Sequence, residues 1–322
     1  MLVNRSERLY SLRYCLMFLV IVGHVFSQEQ FSQIEGCVVI WKWIYMFHMP
    51  LFVFISGYFS RKKDRREFIV SSWKIIEPFV LFQSIMCLYR FFVHGSISIS
   101  YVLTPWWVLW YLFSLFCWRL ILQILPNKIL SSAKLVIILT IIFSLLVGFL
   151  PLNRILSLQR TFAFMPFFFL GYYMKEKNLF IGVRYRLLSI IFLLITFLLP
   201  MFCPQLLGDL NQADPYVTPM DVLCRIFVFV LSIPISIAFI NICPNRPWIA
   251  KQGRLSMQYY IYHSFMIFVL MKIVSRYSLS TTFMVAVVCT LLITILIGLF
   301  LNISFFEKLT NPSSFYSKKQ YN

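Results

Sequence analysis

Residues 13–24 read RYCLMFLVIVGH, in which ten uncharged residues separate Arg13 from His24. The run is part of a longer apolar stretch, 12–27, and a membrane helix needs about 20 predominantly apolar residues to cross a hydrocarbon core of ~30 Å. An α-helix turns about 100° and rises 1.5 Å per residue, so eleven steps amount to three turns plus roughly 20°. Arg13 and His24 therefore share a face, roughly 16 Å apart along the axis. Ionisable groups at that depth are costly and usually face a bundle interior or a watery cavity. The stretch predicts a membrane helix with a polar stripe that starts at Arg13 and reaches inward to His24.

The rest of the chain has the same character. Of its 322 residues 60% are hydrophobic and only 12% are charged, too few to cover a soluble globule. Apolar runs predict an all-α polytopic membrane protein of about ten transmembrane helices, near 12–27, 43–60, 74–93, 105–125, 134–150, 160–174, 187–203, 222–243, 256–274 and 282–302. A single membrane domain, 1–322, is expected, with no cleavable signal, linker or internal repeat. The eight cysteines form no CxxC pair, and small residues facing lipid or neighbouring helices account for them.

The net charge of +18 reflects topology rather than nucleic-acid binding. With ten spans, 22 of the 29 Lys and Arg residues fall on the side that holds both termini. Positive charge accumulates in cytoplasmic loops, so both termini are expected in the cytoplasm. The basic run 61–66, RKKDRR, becomes a cytoplasmic loop, either a topological anchor beside anionic lipid or a site for an anionic cytosolic ligand. The 204–221 loop, with Asp209, Asp214 and Asp221, faces the other side.

Two further histidines fall near His24 in depth. His48 precedes Arg61 by 13 residues and His263 follows Arg254 by nine, placing both imidazoles well inside the membrane. Three histidines from three helices would thus share one layer. No carboxylate matches their depth and no His pair stands at i, i+4, so no metal site is expected. Imidazole acting as a base on a hydroxyl is the better chemical use. Glu77, beside Pro78, is either a partner of Lys74 one turn away or a group of the site. Arg160, at the outer end of the sixth span, either snorkels outward or meets an acceptor arriving from outside. Trp106, Trp107 and Trp110 suit an interfacial aromatic belt, with carbohydrate stacking as the alternative.

Together these segments resemble the acyltransferase 3 family of integral membrane acyltransferases, in particular its fucose-4-O-acetylase-like branch. Arg13 and His24 match the family's first-helix motif, Arg or Lys followed by ten residues and His. FHMPLFVFISGYFSRKK (47–63), with His48, Pro50, Ser56 and Gly57, resembles its second helix. WYLFSLFCWRLI (110–121) and MPFFFLGYYMK (165–175) look like the fourth and sixth. GRLSMQYYIYHSF (253–265) resembles a late segment through Gly253, Ser256, Tyr260 and His263. The chain departs from the family's Arg-X-X-Arg pair at the third helix, where Ser71 stands first and Lys74 second. No appended esterase-like domain is expected.

The resemblance implies acetyl or acyl transfer from cytosolic acetyl-CoA, a co-substrate rather than a resident cofactor, to a hydroxyl of a cell-surface or exported polysaccharide or lipid-linked oligosaccharide. It also implies residence in a bacterial plasma or inner membrane, within the lipid bilayer. His24, His48 and His263 become the expected catalytic residues. Arg13, Lys74, Arg61, Arg65 and Arg66 become the acyl-CoA contacts, and Arg160 and Glu77 the acceptor contacts. A flippase or transporter using the same polar stripe without chemistry is the competing expectation, against which stands the absence of an evident inverted repeat.

Overall fold

The computed structural model describes residues 5–96, 98–152, 154–176, 185–277, 281–301 and 309–310. No strand occurs among them, and twelve α-helices are eight residues or longer. In chain order they begin with α1 (Arg5–Phe26), α2 (Glu35–Tyr45), α3 (His48–Tyr58) and α4 (Arg65–His94). Next come α5 (Trp110–Ile124), α6 (Ala133–Leu146), α7 (Leu158–Glu176) and α8 (Arg186–Phe197). The last four are α9 (Pro219–Ile242), α10 (Pro247–Arg254), α11 (Ser256–Arg276) and α12 (Phe283–Phe300).

Seven stretches of the described residues are long and apolar enough to cross a membrane: Glu7–Phe26, Glu35–Tyr58, Arg65–His94, Trp107–Ile124, Pro219–Ile242, Ser256–Arg276 and Phe283–Phe300. Ala133–Phe149 and Arg186–Phe202 are shorter apolar helices. The sixth expected span corresponds to α7, which is not in either set and carries Gln159, Arg160, Lys175 and Glu176 at its ends. The protein is a helical, multi-pass membrane protein. The C-terminal tail and the basic residues Lys177 and Arg184, which entered the charge count, lie outside the described residues.

Three expected boundaries need correction. The second span is not one helix over 43–60 but two, α2 and α3, interrupted at Met46 and Phe47. Pro50 supplies the reason, because its ring clashes with the carbonyl four residues back, here Met46. Placed in the first turn of α3, the same proline forfeits no hydrogen bond. Secondly, Arg65 and Arg66 are not loop residues but open α4. Asp64 caps that helix, accepting the Glu67 backbone N–H at 2.8 Å. Thirdly, neither histidine depth is measured along one continuous helix. α3 ends at Tyr58, three residues short of Arg61, and Leu255 separates α10 from α11 between Arg254 and His263.

The described helices form two units. The first comprises the described residues within 1–55, 179–210 and 219–302, and the second those within 56–178, 211–218 and 303–322. In the first, α1 is central, touching α2, α10, α11 and α12. Its approach to α10 is set by Gly253, where a Cβ would lie 1.8 Å from the Tyr10 carbonyl oxygen. No side chain fits there, so the two backbones meet directly. Arg8, 9% exposed, reaches from α1 to donate to the Ile240 carbonyl at 3.0 Å in the last turn of α9. A cation is well placed at that end, where helix carbonyls lack intrahelical partners.

In the second unit, α5 packs between α4 and α7, and α7 also packs on α6. Polar groups lock the α5–α7 contact. The fully buried Trp118 donates its Nε1–H to the Thr161 carbonyl at 2.7 Å, and Ser114 pairs with the Thr161 hydroxyl at 2.7 Å. Ser56, at the end of α3, hydrogen-bonds Tyr111 of α5.

Candidate active site

The three membrane histidines meet within the first unit. The rings of His24 (α1) and His263 (α11) stack with centroids 5.4 Å apart and planes 28° from parallel. Tyr45, at the end of α2, joins them to His48. Its hydroxyl lies 2.9 Å from His24 Nδ1, and its ring centroid is 4.8 Å from that of His48. Tyr45 comes this close to α1 because residue 23 is glycine, where a Cβ would stand 2.9 Å from the tyrosine ring. The interruption between α2 and α3 then places Tyr45 as the last residue of one helix and His48 as the first of the next.

Hydrogen bonding fixes the tautomers of two of these imidazoles. His48 Nδ1 lies 2.9 Å from the Ile44 carbonyl, and His263 Nδ1 lies 3.0 Å from that of Tyr259. A carbonyl only accepts, so both Nδ1 atoms carry the proton, and in the neutral rings both Nε2 atoms present lone pairs. His48 is 2% exposed and His263 fully buried. His263 Nε2 has no hydrogen-bond partner among the described residues. An orphaned buried acceptor is costly, and it marks a place where a donor from a ligand would be welcome. His24 differs from both in being only half-buried. It is the imidazole of the three that a reactant reaches most easily. Among the described residues, no group of three or more His, Cys, Asp and Glu side chains could hold a metal ion.

At the Arg13 end of the same unit, two guanidiniums flank one ring. Arg13 Cζ is 5.8 Å and Arg254 Cζ 5.5 Å from the Tyr10 centroid. Gly253 brings Arg254 there, because the α10–α1 contact it permits involves Tyr10 itself. The chain matches the family model described as an acyltransferase domain over residues 8–303, a range that includes both arginines and all three histidines. The chain belongs to the acyltransferase 3 family. No curated protein and no solved structure matches it. As a member of the acyltransferase 3 family it is a membrane acyltransferase.

The remaining expected site residues lie in the second unit, Arg160 apart from the others, which fall within 61–77. In the 61–66 segment, Arg61 and Lys63 both turn to Glu67, at 2.8 and 3.2 Å. Lys62 donates to the Leu125 carbonyl and to Asn127. Arg65 and Arg66 are exposed in the first turn of α4, and Lys74 is exposed two turns further on. Glu77 is half-buried along α4. Arg160 lines a cavity at the other end of that helix, whose lining does not include Glu77.

Tyr45 and Arg254 were not singled out from the sequence. A signal existed for the first, since Tyr45 stands three residues before His48. Arg254 stands directly after Gly253, but only the contact with Tyr10 reveals what it adjoins.

Proposed function

We propose that this acyltransferase is an O-acetyltransferase of the fucose-4-O-acetylase-like branch. It moves the acetyl group of cytosolic acetyl-CoA to a hydroxyl of a cell-surface or exported polysaccharide, in the plasma membrane of a bacterium. The observation that carries this reading is the imidazole group, namely an accessible His24 hydrogen-bonded to Tyr45 and stacked on a His263 whose lone pair is unused.

In the tautomer that donates Nδ1–H to the Tyr45 oxygen, His24 presents Nε2 as a base. It takes the proton of the acceptor hydroxyl while that oxygen attacks the thioester carbonyl carbon. The carbon–sulfur bond breaks, the thiolate departs, and the proton passes from His24 to sulfur. The products are an acetyl ester and free coenzyme A. His48 and His263, holding lone pairs at Nε2, accept hydrogen bonds and so orient hydroxyl groups. They are not donors that could polarise the thioester carbonyl while neutral.

The phosphates of coenzyme A suit guanidinium groups, which bind them in bidentate fashion. Arg13 and Arg254 supply two such groups at one end of the first unit. Arg65, Arg66 and Lys74 supply exposed cations at the start of α4, where the positive end of the helix dipole favours anions. Arg61 contributes less, because Glu67 already occupies it.

Purified protein incubated with acetyl-labelled acetyl-CoA and the host's glycan tests the reading. Alkali-labile label appearing on the glycan supports it. Passage of glycan across a vesicle membrane with no label transferred would make the protein a transporter instead.

A further inference from the structure

The second unit contains a cavity of about 340 Å³ that the acetyl-transfer chemistry does not use. Its size lies within the ~300–1,000 Å³ of typical small-molecule sites. It is formed where the later turns of α4, the segment preceding α5 and the start of α7 come together. Gln83 holds that segment to α4, donating to the Tyr101 and Thr104 carbonyls at 3.1 and 3.0 Å and accepting from the Trp106 N–H at 2.8 Å.

The lining combines three kinds of group. Arg90, Arg154 and Arg160 supply positive charge, and among the described residues that line the cavity none is acidic. Asp214, outside the lining, accepts from Arg154 at 2.9 Å through both carboxylate oxygens. That contact holds its carboxyl below the usual carboxylate range. Arg160 donates its Nε–H to the Asn211 carbonyl at 3.1 Å, which orients its guanidinium. Arg90 lies 4.0 Å from the Tyr101 ring centroid and Arg160 5.0 Å from that of Trp110, so aromatic faces fix both cations in place. Trp106 and Trp107 add half-buried indoles of the kind that pack against sugar rings.

Two observations separate this cavity from an incidental crevice. Gln159, 1% exposed, spends its amide N–H on the Leu150 carbonyl at 3.0 Å, while its buried Oε1 has no partner among the described residues. An acceptor left unmatched in the wall of a cavity calls for a donor such as a sugar hydroxyl. The backbone is also strained here. Trp107, Arg154 and Ser157, all in the lining, have φ of 36°, 64° and 51°. Left-handed conformations cost non-glycine residues of order 1 kcal/mol or more and gather at ligand sites.

We propose that this cavity binds a sugar residue bearing an anionic group, a carboxylate or a phosphate, and that this residue belongs to the acceptor glycan. Only the word acceptor rests on the acetyl-transfer reading; the binding itself does not. The guanidiniums of Arg90 and Arg160 take the anion, Gln159 takes a hydroxyl, and the indoles cover the ring. Hydroxyl-seeking and ring-stacking groups beside the cations favour a sugar over a lipid headgroup.

The test is calorimetric binding to the protein in phosphatidylcholine nanodiscs. The probes are trigalacturonate, its carboxyl-reduced neutral counterpart, and galactose 6-phosphate. Trigalacturonate or the sugar phosphate should bind at least tenfold more tightly than the neutral trisaccharide, and the preference identifies which anion is meant. Arg90→Gln with Arg160→Gln should abolish that preference, since each charge-assisted hydrogen bond is worth severalfold or more in affinity. The paired lysine variants, which keep the charge, should retain part of it and show that the cavity still forms. Equal binding of charged and neutral probes, or no binding of any probe, overturns the proposal. So does complete displacement of the sugars by phosphatidylglycerol in the discs, which would assign the site to lipid. His24→Gln protein separates the two claims. If it binds the probes as the parent does, the cavity stands even where acetyl transfer is never detected.

Discussion

A single hydrogen bond decides how His24 presents itself. Tyr45→Phe removes the hydroxyl 2.9 Å from Nδ1 while leaving the ring over Gly23. Loss of one such bond is worth about 1 kcal/mol, so the initial rate of acetyl transfer should fall up to about tenfold with normal amounts of protein in the membrane. An unchanged rate would detach Tyr45 from the chemistry. Arg13 yields a graded series. Arg13→Lys keeps the charge but loses the planar fork, so the KM for acetyl-CoA should rise moderately, and Arg13→Ala should raise it further. Identical, parental constants in both variants would remove Arg13 from the donor site. Much of this was legible from spacing alone, since Arg13 and His24 lie on one uninterrupted helix whose geometry is fixed. Tyr45 and Arg254 were not, because each acquires its meaning from a contact with a different helix. The unmatched acceptor on Gln159 was likewise hidden, since whether a buried amide is satisfied depends on carbonyls brought near by folding.

Helices were easier to read than their ends. Apolar runs revealed the helical segments because hydrocarbon tolerates little else. The break before His48 went unread because Pro78, Pro166 and Pro234 all lie inside continuous helices, so proline alone does not announce one. What sets Pro50 apart is a place in the first turn after the break, visible only once the helix start is known. The early start of α4 was missed for a different reason. Its first turn is charged and outside the apolar run, although Asp64 followed three residues later by Glu67 is a recognisable cap. The α1–α10 contact makes its own prediction. Gly253→Ala forces a Cβ to within 1.8 Å of the Tyr10 carbonyl oxygen unless the helices part. Overpacking of this kind costs about 1–3 kcal/mol, so thermal unfolding in detergent should begin several degrees lower. A parental melting curve would mean that α10 does not pack on α1 in this way.

For the molecule as a whole, the charge asymmetry predicts an orientation. Reporter fusions after residues 66 and 322 should read cytoplasmic and one after residue 212 external, following the bias of Lys and Arg. An external C-terminus would reverse the side from which the donor enters. Whether His24 performs chemistry is measured most directly by transfer from labelled acetyl-CoA to glycan by His24→Ala protein. The variant should insert at the parental level, because removing an imidazole from the membrane interior lightens a polar burden. Transfer should drop at least ~100-fold, the lower range for loss of a general base. His24→Ala protein that is present in normal amount and acetylates glycan at close to the parental rate would contradict the account.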